Sequence, residues 1–504
     1  MRFRTPLLGA FCALVSSFTF AQDKLSFSNQ TIDIGLTVTR PVTVLNLYEG
    51  DEKELLVFGT DEKEKLWMIV LGANEQGKHV ELDRLAVPEN IIAFDMGVEQ
   101  ENGLQDIYFL TKSHIKRYVQ AHKNQKSQLV NEQEISSVYL TDKPSFFRRK
   151  RFVRDLNEDK VDDFILPHFE HTNLWVSCEC NTRHQQSIAT SGQMDVFTDS
   201  INFRPPRLQY VDMNNDQNTD IVASELGKLN IYLQSEDGVF AEEPMVVNIN
   251  QDIDSIYWWD LREADGSQKD QSNILHKVLE EVADVNGDDI ADLVVTYTQG
   301  SSVLKQVNDF EFYFGEIVDG KLRYPTTPST RIAIDERLTD ISLVDLNDDK
   351  KMEALVSSFD ISISDIVGAL FSGKVKQDIL VFGMNGNEQF ESKPLVRDDV
   401  EIRFSLTSGQ SGNPMVRLRD VNGDNLKDLL LSDGTDKVKV RLGDNSGDRA
   451  FVRRASSHDL NIPQNGQTIT NEDVNGDGKS DLVMFYGRLD DKSLKNKIVI
   501  TTSE

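Results

Sequence analysis

Asp473-Val474-Asn475-Gly476-Asp477-Gly478-Lys479-Ser480-Asp481, followed at once by the apolar Leu482-Val483-Met484, is the clearest copy of a pattern found six times. Position 1 is Asp, 3 is Asn, 5 is Asp and 9 is an acid, and an apolar run follows. The other copies begin at Asp155 (with Asn157, Asp159, Asp163), Asp212 (Asn214, Asp216, Asp220) and Asp284 (Asn286, Asp288, Asp292). The remaining two begin at Asp345 (Asn347, Asp349, Glu353) and Asp420 (Asn422, Asp424, Asp428). Successive first aspartates lie 57, 72, 61, 75 and 53 residues apart. That exceeds most solenoid repeats but suits four short strands with their loops, the content of one propeller blade.

Two worn copies precede these. Asn46 to Glu54 runs into Leu55-Leu-Val-Phe-Gly59, and Asp95 to Asp106 runs into Ile107-Tyr-Phe-Leu110. Six clear and two eroded copies predict eight blades, with seven as the alternative because the first copy keeps so little of the pattern. Each repeat reads strand, Asp loop, strand, turn, strand, loop, strand. In the fourth, RLQYV leads into the loop, IVAS leaves it, and LNIYLQ and MVVNI follow, short β-branched runs punctuated by Gly, Asn and Asp. A helix is expected only over 364–375. The last copy supplies about three strands, ending in KIVITT, and residues 24–35 are placed to add the fourth. Pairing the chain ends would remove open sheet edges. The fold expected is all-β, a single propeller over residues 22–504 closed by its N- and C-terminal strands.

The loops carry the chemistry. Calcium takes six to eight hard oxygen ligands, and alternate positions of a tight loop can converge on one ion. Side chains at positions 1, 3, 5 and 9, with the backbone carbonyl of position 7, make such a set. Up to six Ca2+ ions are expected, and none at the worn copies. Solvated acidic turns would explain neither the constant Asn at position 3 nor the apolar run after position 9. An EF-hand or dockerin loop needs an acid at position 12, where this chain has Leu166, Ala223, Val295, Val356, Leu431 and Met484.

Loop pattern and spacing resemble the FG-GAP/VCBS repeat family, shared with the head domain of integrin α-subunits, over roughly residues 40–500. The resemblance implies a propeller with calcium in the hairpin between the first two strands of a blade. Position 6 in that family is usually Gly. Here only Gly478 complies, and Asn425 is a fair substitute for a permissive backbone. The last two sites are therefore expected to bind best.

Arg2 and Arg4, an apolar run from Leu7 to Phe20 and small residues at Thr19 and Ala21 are ordered as in a secretory leader. The run is shorter than a spanning helix needs. Residues 1–21 are thus expected to be removed and the mature chain exported to the periplasm or the medium, with no membrane span. Cys178 and Cys180 are compatible with a local disulfide or with two free thiols. The net charge of −29 excludes a nucleic-acid partner, which needs a basic face.

With calcium assigned to structure, function is expected on the opposite face, at loops joining strands two to three and joining blades. Two insertions stand out: Tyr257-Trp258-Trp259-Asp260 with the residues after it, whose aromatics suit either stacking on sugar rings or, more commonly, a strand facing the core, and 357–377. His168, His171, Cys178, Cys180 and His184 form a soft-ligand group without the spacing of a standard zinc or copper site. The expected role is a non-catalytic binding, adhesion or scaffold module for a protein or glycan partner. The alternative is a polysaccharide lyase, with His168, His171 or Arg262 as candidates.

Overall fold

The computed structural model describes residues 25–121, 126–139, 147–178, 182–196, 201–263, 266–270, 273–302, 305–359, 368, 372–405, 410–445 and 449–504. Blade 4 shows the plan. Strands a (Leu208–Val211), b (Asp220–Glu225), c (Lys228–Tyr232) and d (Met245–Asn248) pair antiparallel in that order. Eight such sheets follow along the chain, and the protein is an all-β, eight-bladed β-propeller. The eroded repeats decide against seven. Blade 1 has full-length strands Glu54–Thr60, Leu66–Ala73 and His79–Ala86, and blade 2 has Ala93–Met96, Ile107–Leu110, His114–Val119 and Gln128–Glu134.

Strand periodicity explains how the blades stack. Successive side chains point to opposite faces, and strand b is buried on both. In blade 1, Leu55 and Val57 pack with blade 8, whereas Leu56 and Phe58 pack with blade 2. In blade 7, Leu429 and Leu431 face blade 6 and Leu430 faces blade 8. Each seam between neighbouring blades has its own hydrophobic cluster, including the seam from blade 8 back to blade 1. That is why each Asp loop is followed by an unbroken apolar run rather than an alternating one. Burying one such Leu or Phe contributes about 1.5–3 kcal/mol.

The chain ends close the ring as the sequence suggests. Strand Phe27–Asp33 pairs antiparallel with the C-terminal strand Lys497–Ser503, from Phe27 opposite Ser503 to Asp33 opposite Lys497. Blade 8 thus takes its outer strand from the start of the chain.

Antiparallel order fixes which loops share a face. The Asp loops (a to b) lie with the c-to-d loops, and the b-to-c turns lie with the connections between blades. Both insertions belong to the second set, on the face expected. The hairpin Gln193–Val196 with Ile201–Arg204, between blades 3 and 4, joins them there. One expectation needs correction, and another is shortened at its end. The Tyr257 run is not a core strand: Trp258–Asp260 is a 3-10 turn, and Trp259 is 44% exposed. Of the helix expected over 364–375, Gly368 and Ser372 are helical, most of the rest lies outside the described residues, and it has ended before strand Lys374–Phe382.

Candidate metal centre

The six Asp loops share one backbone conformation. Position 6 has φ between +59° and +82° in all six: Lys160, Gln217, Asp289, Lys350, Asn425 and Gly478. Position 4 is left-handed too, at Glu158, Asn215, Gly287, Asp348, Gly423 and Gly476. The sequence reading foresaw the first requirement and missed the second, although Gly recurs at position 4 in three copies. An L-residue with a side chain held there costs roughly 1–2 kcal/mol, less for Asn or Asp. Only the last copy has Gly at both places.

Each side chain of the pattern has a fixed task. The position-1 carboxylate accepts the N–H of position 6 at 2.7 to 2.9 Å in every copy. The position-5 carboxylate accepts the N–H of position 7 at 2.8 to 2.9 Å. The Asn at position 3 donates to position 5 in four copies, at 2.8 to 3.2 Å. Asn157 Oδ1 is buried with no hydrogen-bond partner.

Position 9 is different, because it is buried. Asp163, Asp220, Asp292, Asp428 and Asp481 are fully buried and Glu353 nearly so. One oxygen of each accepts the N–H of position 2 at 2.8 to 3.0 Å. In all but Glu353 the other oxygen accepts an N–H at the end of strand c, from Ser177, Gln234, Gly315, Gly443 or Ser503. The acid therefore clamps its loop to the third strand as well as facing the loop. Burial, opposed by these N–H bonds, pushes Asp163, Asp220, Asp428 and Asp481 up to about 6 and Asp292 and Glu353 up to about 7. For all but Asp163, charges at both positions 1 and 5 push the same way; for Asp163 the charge at Asp159 does.

The first worn copy keeps only the loop half of this clamp, and the second uses a different carboxylate. Glu54, at position 9 of the first, accepts the N–H groups of Leu47 and Tyr48 at 2.8 and 3.1 Å. Asp95 instead ties blade 2 to blade 3, accepting from Phe152 N, Val153 N and Arg149 Nε. Asp162, at position 8 of the third copy, was not singled out by the sequence. It accepts from Val98 N and the Tyr108 hydroxyl, and burial raises it to about 6.

The donor set suits a hard cation. A carboxylate offers about four lone-pair sites, so the side chains keep oxygen capacity beyond the N–H groups they accept. Among the described residues, however, no three His, Cys, Asp or Glu side chains converge as a preformed metal cluster. The carboxylates are turned to the backbone amides instead.

The soft-ligand group is not brought together. His168 and His171 stack at 4.7 Å at the b-to-c turn of blade 3. Cys178 and His184 lie toward the other end of the same strand pair, where His184 is opposite Val176. Cys178 is disulfide-bonded, and Cys180 lies outside the described residues. Arg262 donates to the carbonyls of Trp259 and Leu261 on a different blade's insertion. On that insertion Tyr257 stacks on Trp259 at 4.4 Å, and its hydroxyl donates to Glu280 at 2.7 Å.

No family model and no curated protein matches this chain. Solved structures similar to it include a lectin from Agrocybe aegerita recognising non-reducing terminal N-acetylglucosamine (14% identity, 85% of this chain and 96% of that one, TM-score 0.41). The Vibrio cholerae biofilm matrix protein Bap1 is also similar (11%, 93% and 88%, 0.34), as is a 6-phosphogluconolactonase-like protein of Bacteroides uniformis (11%, 84% and 97%, 0.32). Such distant likeness adds nothing to what the sheet topology shows. Among the described residues no helix is long and apolar enough to cross a membrane.

Proposed function

We propose that the protein is an exported, calcium-stabilised binding module of the FG-GAP/VCBS type, holding ligand by loops on the face opposite the Asp loops. The observation that carries this is the shared architecture of six loops. Each places three carboxylates and one Asn in a nine-residue loop whose backbone is left-handed at two positions, a set of charges that would repel one another until a cation drew them together. Binding energy would then become folding energy. Positions 1, 3, 5 and 9, with the carbonyl of position 7, would hold each ion, which supplies charge neutralisation and no chemistry. The loops beginning at Asp420 and Asp473 carry least backbone strain and are expected to bind tightest. A leader-directed chain would meet the millimolar calcium that suits weak extracellular sites.

Thermal unfolding in millimolar calcium and in excess chelator tests the proposal. A large rise in Tm with calcium, diminished in Asp473→Ala and Asp420→Ala, is expected. Superimposable curves would reduce the loops to acidic turns clamped by position 9.

A further inference from the structure

The chain is strongly acidic, yet Arg148-Arg149-Lys150-Arg151 and Arg154 fall within seven residues. All five line one cleft of about 390 Å³ where blades 2, 3 and 4 meet. That volume lies within the roughly 300–1,000 Å³ of small-ligand sites. No Asp or Glu lines the cleft.

The cations are held in place. Lys150 Nζ sits 3.5 Å from the centroid of the Tyr139 ring, and the Arg154 guanidinium lies 3.7 Å from that of Tyr210. Arg149 is anchored from below by Asp95 at 2.8 Å. Arg148 and Arg151 are exposed and make no ion pair among the described residues. Burial, followed by the charge of Arg148, pushes Lys150 down to about 8. Pro167, Pro205, Pro206 and Leu208 line the same cleft and supply apolar surface.

We propose that this cleft binds an acidic saccharide, its carboxylate or sulfate received by Arg148 and Arg151 and its ring face laid against the lining prolines Pro167, Pro205 and Pro206. This names the ligand class of the binding module proposed above and rests on that reading. A guanidinium pair suits a planar or tetrahedral oxyanion through paired N–H bonds. The chain's net charge of −29 disfavours a long, densely charged polyanion, which would extend beyond the cleft. An anion on a single sugar meets only the cleft.

The test is titration calorimetry on the full mature protein with tetragalacturonate, a sulfated tetrasaccharide, maltotetraose and inorganic sulfate. At least one acidic saccharide is expected to bind, with maltotetraose and sulfate weaker by about tenfold or more, a difference of about 1.4 kcal/mol or more. Arg148→Glu/Arg151→Glu changes two exposed side chains and should lose that binding while melting normally. Lys63→Glu/Lys393→Glu makes the same charge change elsewhere and should keep it. The proposal is overturned if no acidic saccharide binds, if maltotetraose or sulfate binds as tightly, or if both variant pairs behave alike. Calcium-independent melting with intact saccharide binding would defeat only the metal assignment, so the two failures are distinguishable.

Discussion

Asp481 Oδ1 accepts the backbone N–H of Ser503 at 2.9 Å, joining the last Asp loop to the C-terminal strand that closes the ring. The same carboxylate holds Val474 N at 3.0 Å through Oδ2. Asp481→Ala would strand two buried N–H groups, each costing about 1–3 kcal/mol. Urea unfolding should show a loss of that order or more even in chelator, because the clamp operates without an ion. Asp473→Ala, at a half-buried position of the loop, should cost less in chelator.

Without calcium, stability should fall as pH rises through the position-9 carboxylates. Their folded values, about 6 to about 7, stand above the ordinary carboxylate value. The folded chain therefore holds more protons than the unfolded one between about pH 4 and 7. The contribution is fully present below pH 4 and lost by about pH 7. Calcium needs the ionised form, so its increment in Tm should grow over the same interval. Melting curves at pH 5 and 7.5, with and without chelator, measure both slopes.

Gly476 combines φ of +74° with a close approach: a Cβ there would lie 2.5 Å from the Asp51 carbonyl of blade 1. Gly478, at φ +82°, faces open space. Gly478→Ala should cost roughly 1–2 kcal/mol, the price of the left-handed backbone alone. Gly476→Ala should cost more, since the seam between blades 8 and 1 must also shift. Chemical denaturation of the two variants ranks them.

Deleting residues 22–33 would leave Lys497–Ser503 as an unpaired edge on blade 8. An exposed edge strand invites pairing with another chain. The truncated protein should melt lower and elute as dimers or larger species in size-exclusion chromatography, whereas the full mature chain should not show this edge-driven association.

Much of the fold was legible because repetition makes a weak signal strong. The nine-residue pattern marked six strand pairs, and the interval between copies pointed to the two eroded blades. Position 9 was visible as an acid before an apolar run. Its work as a clamp was not, because Ser177, Gln234 and the other donors lie 14 to 23 residues away with no side-chain signature. The left-handed position 4 was hinted at by Gly287, Gly423 and Gly476 and hidden by Glu158, Asn215 and Asp348. The Tyr257 run was misread because aromatic, apolar residues satisfy a strand pattern and a stacked surface turn equally well.

By itself, then, the order of residues determined the all-β class, the blade count to within one, the closing strand and the loop oxygens. Those follow from local periodicity and from donor types at fixed spacing. Tertiary structure alone decided the blade-to-blade burial of alternate strand-b residues, the clamp at position 9 and the cleft that gathers Arg148 to Arg154 with Pro205 and Pro206. Each depends on residues far apart in the chain meeting across a seam, and no short window of sequence records that meeting.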